Sequence, residues 1–183
     1  MNFGLIEEQQ MIVSTVRSFV EKEIYPHEDL VERSGEVPAE IANEIKRKTL
    51  ELGFYACNFP QEVGGAGLNH LDFALVEREL GRGSMALNHF FGRPQNILMA
   101  CNAEQRESYL LPAVRGDRMD ALAMTEPEAG SDVRGMKCTA VKTGGDWVVN
   151  GTKHFISGAY HADFVIFFIA TGVMKRRVVP KNA

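Results

Sequence analysis

The chain has 183 residues, 45% of them hydrophobic and 24% charged, with a formal net charge of −4. That length can bury one large core or two small ones, and the acidic balance offers no electrostatic footprint for nucleic acid. The longest apolar run, Phe164 to Ala170, falls far short of the ~20 residues a bilayer helix requires, and Met1 to Glu8 lacks the basic and apolar regions of a secretory signal, so the expected setting is the cytoplasm or an organelle matrix.

From Leu5 to Ile24 the apolar residues Ile12, Val13, Val16, Phe19, Val20 and Ile24 recur at helical spacing, and Pro26 is expected to end that helix. A charged link leads to Pro38, at a helix start, and Ile41, Ile45, Thr49 and Leu52 form one face before Gly53. Residues 58 to 68 hold Pro60, Gly64, Gly65 and Gly67, too much punctuation for regular structure, and no strand–GxGxxG–helix arrangement accompanies them. Leu71, Ala74, Leu75 and Arg78 predict the face of a further helix stopped at Gly81, and helical pieces are expected on both sides of Pro94. Arg93 reads as a solvated loop arginine rather than an anion ligand. Asn102 and Gln105 make an N-x-x-Q capping arrangement for a helix to about Val114, ended by Gly116.

After Met119 alternation replaces the helical period, which puts a domain boundary near Asp117 to Met119. Ala121 to Thr125 alternates and stops at Glu126-Pro127, where proline forces the preceding residue to extend. Gly130, Ser131 and Asp132 then bring small residues and donors into one turn. Free N–H groups there can cradle an anion such as a pyrophosphate, with the Thr125 and Ser131 hydroxyls on either side of the proline; an ordinary strand-to-loop connection is the alternative. Lys137 to Lys142 and Trp147 to Asn150 flank Thr143-Gly144-Gly145-Asp146 as a hairpin, and Lys153 to Ser157 and Asp163 to Thr171 read as further strands. Trp147 is expected to pack at a sheet edge. Cys57, Cys101 and Cys138 lie too far apart for a zinc or disulfide framework and read as buried small hydrophobes, and His154 and His161 have no second ligand at metal-binding spacing.

Four stretches, Asn58 to Leu68 (NFPQEVGGAGL), Ala103 to Asp117 (AEQRESYLLPAVRGD), Leu122 to Asp132 (LAMTEPEAGSD) and Gly151 to Ala159 (GTKHFISGA), together resemble the acyl-CoA dehydrogenase family of flavoproteins, in family order from about Phe3 to Gly172. The resemblance implies an α+β fold: an all-α helical-bundle N-terminal domain over residues 1–118, then the first strands of an antiparallel β-barrel-like middle domain over residues 119–172. Residues 173–183 depart from the family, and the carboxy-terminal helical domain is absent, as a truncated or frame-shifted reading frame would leave it. Such a frame would strip Phe164 to Ala170 of its sheet partners. The family usually has Ser or Thr where Ile6 stands, so the ordinary helix cap is missing there.

The resemblance also implies FAD as cofactor and an acyl-CoA thioester as substrate, dehydrogenated between its α and β carbons with hydride passing to flavin N5. Leu122, Met124 and Thr125 match the strand residues lining the flavin ring. Gly130 and Ser131 match the turn near the flavin pyrophosphate and the CoA arm, which makes Ser131 substrate-binding as well. Phe155, Ile156 and Ser157 match the segment against the isoalloxazine. Phe155 stands where the family often has Trp, keeping an apolar face without the indole N–H, and Ser157 keeps the hydroxyl that the family uses toward N5. The family's catalytic glutamate belongs to the carboxy-terminal bundle, so no catalytic residue is assigned here; Glu126 and Glu128 belong to the flavin-side turn. An inactive remnant and a helical interaction module are the other expectations. Full-length members are usually tetramers, so a homo-oligomer is implied for such a protein, while acyl chain, electron acceptor and oxidase or dehydrogenase chemistry are not readable.

Overall fold

The amphipathic period at the amino terminus folds as helix, but the proline does not end it. The computed structural model describes residues 4–172, and the expected departure over residues 173–183 lies outside them. Helix α1, Glu7–Phe19, buries Ile12, Val13, Val16 and Phe19. In place of a hydroxyl cap, the Ile6 N–H donates to Gln9 Oε1 at 3.3 Å. The chain then widens into a π-helical turn, Val20–Ile24, and continues as α2, Tyr25–Ser34, with Pro26 in its first turn. In the wider turn Tyr25 N–H reaches back to Val20 O, and the missing proline N–H falls at the junction, where it breaks no regular ladder. The charged link is therefore mostly helix, ended by Gly35 at φ 72°.

Helix α3, Ala39–Glu51, buries Ile45 and Thr49, whose hydroxyl donates to Ile45 O at 2.8 Å. Leu52, expected on the same face, is exposed because the chain leaves the helix there, with Gly53 at φ 72°. Helix α4, His70–Leu80, is capped by the Asn69 side chain, which accepts from Leu71 N–H and Asp72 N–H. Its buried face is rotated from the expected one: Leu71 is exposed, while Leu75, Val76 and Leu80 are buried together with Asp72 and Glu79. Polar partners on α1 explain the rotation. Gln9 Nε2 donates to Asp72 Oδ1 at 3.0 Å, and Arg17 grips Glu79 through Nε at 2.9 Å and Nη2 at 3.1 Å. Arg17, first among the causes, holds the Glu79 carboxyl below its ordinary range, so the buried group stays charged.

The core of this helical unit gathers Val16, Phe19, Val20, Ile24, Ile45, Leu80, Leu87 and Phe91, with Phe19 and Phe91 edge to face at 5.4 Å. Helix α5, Met85–Asn88, runs into a 3-10 turn, His89–Phe91, and a second 3-10 segment, Asn96–Ala100, follows Pro94. Between them Arg93 lies in the loop as expected, but it is paired and only partly exposed, its Nη1 donating to both Glu77 carboxylate oxygens, at 2.7 and 2.8 Å. Gly92 has φ 84°, and a Cβ there would lie 1.8 Å from the Tyr55 ring, so the ring occupies the space a side chain would need. Helix α6, Ala103–Gln105, passes through a π-helical stretch, Arg106–Leu110, into α7, Leu111–Val114. Asn102 and Gln105 cap reciprocally, at 2.9 and 3.1 Å, and Gly116 takes φ 77°.

The chain divides into two units, Met1–Met119 and Asp120–Ala183. In the second, strand β1, Asp120–Ala123, pairs in parallel with β4, Phe164–Phe167, while β2, Thr139–Thr143, and β3, Asp146–Asn150, form an antiparallel hairpin across Gly144-Gly145. A parallel bridge from Thr139 to Ala170 extends the contact of β2 with the chain after β4. The α+β architecture is thus a helical unit followed by a few strands, with no closed barrel among the described residues. The run expected as strand to Thr125 leaves the sheet after Ala123, and Lys153 to Ser157 is not a strand, because Phe155 takes φ 57°. Trp147 is 52% exposed on the hairpin instead of packed at an edge. Cys57 and Cys138 are buried and Cys101 partly so.

Gly92→Ala should destabilise the helical unit by about 3 kcal/mol, since strain at positive φ adds to a collision with the Tyr55 ring. Gly35→Ala, with no atom within 4 Å of its Cβ, should cost only about 1 kcal/mol. Urea unfolding of both variants measures the difference.

Candidate functional site

Beyond β1 the chain turns at Pro127, where Glu126 N–H donates to Ala129 O at 2.8 Å and Ala129 N–H returns to Glu126 O at 3.3 Å. This tight turn sends the Glu126 side chain inward. Its buried carboxylate accepts the backbone N–H of Lys137 at 2.5 Å and of Cys138 at 3.1 Å, and the Lys153 ammonium at 2.7 Å. Side-chain exposure is 3% for Lys153 and 2% for Glu126. One carboxylate therefore ties together three stretches far apart in sequence. The Lys153 ammonium first, and the Lys137 N–H next, hold the Glu126 carboxyl down at about 2.

Lys153 reaches further, donating to Met124 O at 2.9 Å and lying 5.6 Å from the Phe167 ring centroid. The next residue follows suit: His154 N–H donates to Thr125 O at 3.1 Å. Gly151 makes the approach possible, because at φ 141° a Cβ there would sit 2.3 Å from Cys138 Sγ. These contacts bring the stretch 122–126 against the stretch 151–157.

Leu122 lies in β1, half-buried and opposite Ile166. Met124 and Thr125 are half-buried, with their carbonyls taken by Lys153 and His154. Phe155 is 85% exposed at φ 57°, with the His154 ring 4.1 Å away, while Ile156 is half-buried and Ser157 exposed. Gly130 and Ser131 are exposed on the turn after Pro127, and no hydrogen bond among the described residues joins them to the 153–157 stretch. Sequence reasoning passed over Glu126 and Lys153 as structural partners. The available signal was a lysine between small and aromatic residues in the fourth motif, facing a glutamate fixed by proline in the third.

FAD would ask for hydrogen-bond donors, an apolar face and an anion cradle, and the residues present fit these needs. The hydroxyls of Thr125, Ser131 and Ser157 make no hydrogen bond among the described residues, and neither do the N–H groups of Gly130, Ser131 and Asp132. A Cβ on Gly130 would meet nothing within 4 Å, so that glycine is not demanded by the chain's own packing. Consecutive free N–H groups in a turn suit an anion, and the exposed Phe155 ring supplies apolar surface. No cluster of metal ligands occurs among the described residues.

Because the Glu126 carboxyl is depressed on folding, its stabilisation is complete above its unfolded value near 4.5 and is lost as pH falls toward about 2. Fluorescence of Trp147, the single tryptophan, should report acid unfolding of the second unit within that window. Glu126→Gln should lower stability at neutral pH and remove this acid step.

The acyl-CoA dehydrogenase N-terminal domain matches residues 6–117, and the acyl-CoA dehydrogenase middle domain matches residues 121–181. Over 174 residues the chain is 34% identical to 3-(aryl)acrylate reductase of Clostridium sporogenes, covering 92% of this chain and 45% of that protein. Benzylmalonyl-CoA dehydrogenase of Aromatoleum aromaticum is 35% identical over 185 residues, 98% of this chain and 48% of its own length. A glutaryl-CoA dehydrogenase from Mycobacterium smegmatis, solved in complex with FADH2, superposes with a TM-score of 0.77 at 28% identity, covering 91% of this chain and 43% of that one. The chain thus spans about half the length of the curated relatives it matches, and by its two matched domains it belongs to the acyl-CoA dehydrogenase family.

Proposed function

We propose that this chain supplies the flavin-holding part of an FAD-dependent acyl-CoA dehydrogenase acting on an acyl-CoA thioester. The observation that carries the reading is the junction made by Glu126 and Lys153, which sets Met124 and Thr125 beside Phe155 to Ser157 and leaves hydroxyls without a hydrogen bond among the described residues and the Phe155 ring mostly exposed. The CoA thioesters in the names of several relatives and the FADH2-bound structural neighbour support the substrate class and cofactor.

In this reading Leu122, Met124 and Thr125 line the ring, Phe155 and Ile156 cover it with apolar surface, and the Thr125 and Ser157 hydroxyls donate to its polar edge. Fixed donors of this kind meet developing charge without reorganising. The free N–H groups of Gly130 and Ser131 receive the pyrophosphate, and Ser131 also meets the CoA arm. FAD, when bound, accepts the hydride that leaves the β-carbon of the substrate. Glu126 does not remove the α-proton: its carboxylate is buried, bonded to three donors and held at about 2. The family resemblance assigns that proton to a carboxy-terminal bundle, which neither matched domain includes.

The purified chain, incubated with FAD and freed of excess, should keep a visible flavin band; a colourless folded protein would overturn the reading. Thr125→Ala and Ser157→Ala should each weaken FAD binding by about fivefold, the loss of one hydrogen bond, and unchanged flavin content in both would remove those assignments. Acyl-CoA added to the flavin-loaded chain should leave the band unbleached, since none of the residues placed here serves as base.

A further inference from the structure

A buried lysine that served only to balance Glu126 would need that partner alone. Lys153 also donates to a main-chain carbonyl, Met124 O, at 2.9 Å. The peptide that follows is trans and planar, so its N–H points opposite to its C=O. A cation that holds the Met124 carbonyl inward thereby turns the Thr125 N–H outward. That N–H makes no hydrogen bond among the described residues. The neighbouring peptide is held by its carbonyl too, with Thr125 O accepting from His154 N–H at 3.1 Å, so two successive carbonyls are engaged by the 153–154 stretch. An ammonium on a carbonyl polarises the whole peptide unit, which makes the N–H at its far end a stronger donor.

We infer that Lys153 is a positioning residue for the flavin: by anchoring the Met124 carbonyl it aims and strengthens the Thr125 N–H as a donor to the ring. The inference rests on the flavin reading above and deepens it, because it puts the control of a ring contact in a side chain that does not itself face the ligand. Glu126 has a different part, neutralising the ammonium and tying the turn to the Lys137 and Cys138 N–H groups, while the lysine's bond to Met124 O is its own.

The two roles separate in the variants Lys153→Met and Glu126→Gln of the full 183-residue chain. FAD affinity is read by flavin fluorescence, the electronic environment by the position of the visible flavin band, and folding of the second unit by Trp147 emission. Lys153→Met should bind FAD at least tenfold more weakly and shift the band. Glu126→Gln, which leaves the lysine able to donate to Met124 O, should keep the wild-type band position while lowering stability. Wild-type affinity and spectrum in Lys153→Met overturn the inference, and so do equal losses in the two variants, which would make the pair a folding element alone. Where Lys153→Met does not fold, Lys153→Gln, a neutral donor, decides: weaker FAD binding with a shifted band upholds the inference, and wild-type affinity and spectrum overturn it. A folded wild-type chain that takes up no flavin overturns the cofactor reading together with this inference, whereas wild-type uptake matched by Lys153→Met overturns this inference alone.

Discussion

A carboxylate and an ammonium, both shut away from water, determine the layout of the second unit. Placing charges in a protein interior is costly unless each is paired and its remaining hydrogen-bonding capacity used. Glu126 meets that condition with two backbone N–H groups and Lys153, and Lys153 meets it with Glu126 and Met124 O. The partners lie on three stretches of chain, so satisfying the pair specifies which stretches meet and at which residues. Apolar packing is tolerant of such choices; a buried pair bonded to named backbone partners is not. Here its clearest effect is register.

The helical unit uses the same device on another scale. Glu79 is buried on α4 and held by Arg17 of α1, with Arg78 Nη2 at 2.8 Å on its own helix. Gln9 and Asp72 make a second polar contact across the same seam. Around it the core is ordinary, with aliphatic side chains and the edge-to-face pair of Phe19 and Phe91. Hydrophobic burial supplies the gross stabilisation, while the polar seam chooses which face of α4 turns inward. That choice put Leu71 outside in spite of its hydrophobicity.

What could be read from the sequence follows from this division. Apolar period gave the helices, because burial of a face leaves a direct trace in residue order, and the turn Thr143-Gly144-Gly145-Asp146 gave the hairpin, whose strands are mostly exposed. The cap formed by Asn102 and Gln105 was legible for the same reason, its partners being three residues apart. The buried face of α4 was not, since Asp72 and Glu79 look like surface residues until Gln9 and Arg17 are found opposite them. Pro26 was read as a terminator because a regular helix has no use for it, and the π-helical turn that absorbs it has no marker of its own. In the candidate site the motifs named the right stretches, yet Lys153 to Ser157 passed for a strand by composition. The positive φ of Phe155 directly follows Lys153 and His154, which are tied to the chain before Pro127 by tertiary contacts, and no local pattern encodes it.

The close approach of Gly151 to Cys138 bears on how the molecule meets oxidants and electrophiles. The Cys138 thiol is enclosed and pushed above its ordinary range, chiefly by burial, and the backbone of Gly151 fills the space a modifying group would need. Cys57 is raised to about 11 by burial, and Cys101 is raised by the same cause. Because the thiolate is the nucleophile, each of these shifts disfavours the reactive form. Beside the flavin-side junction, attack through the Cys138 sulfur is therefore disfavoured twice, by burial of the thiol and by the Gly151 backbone packed against it.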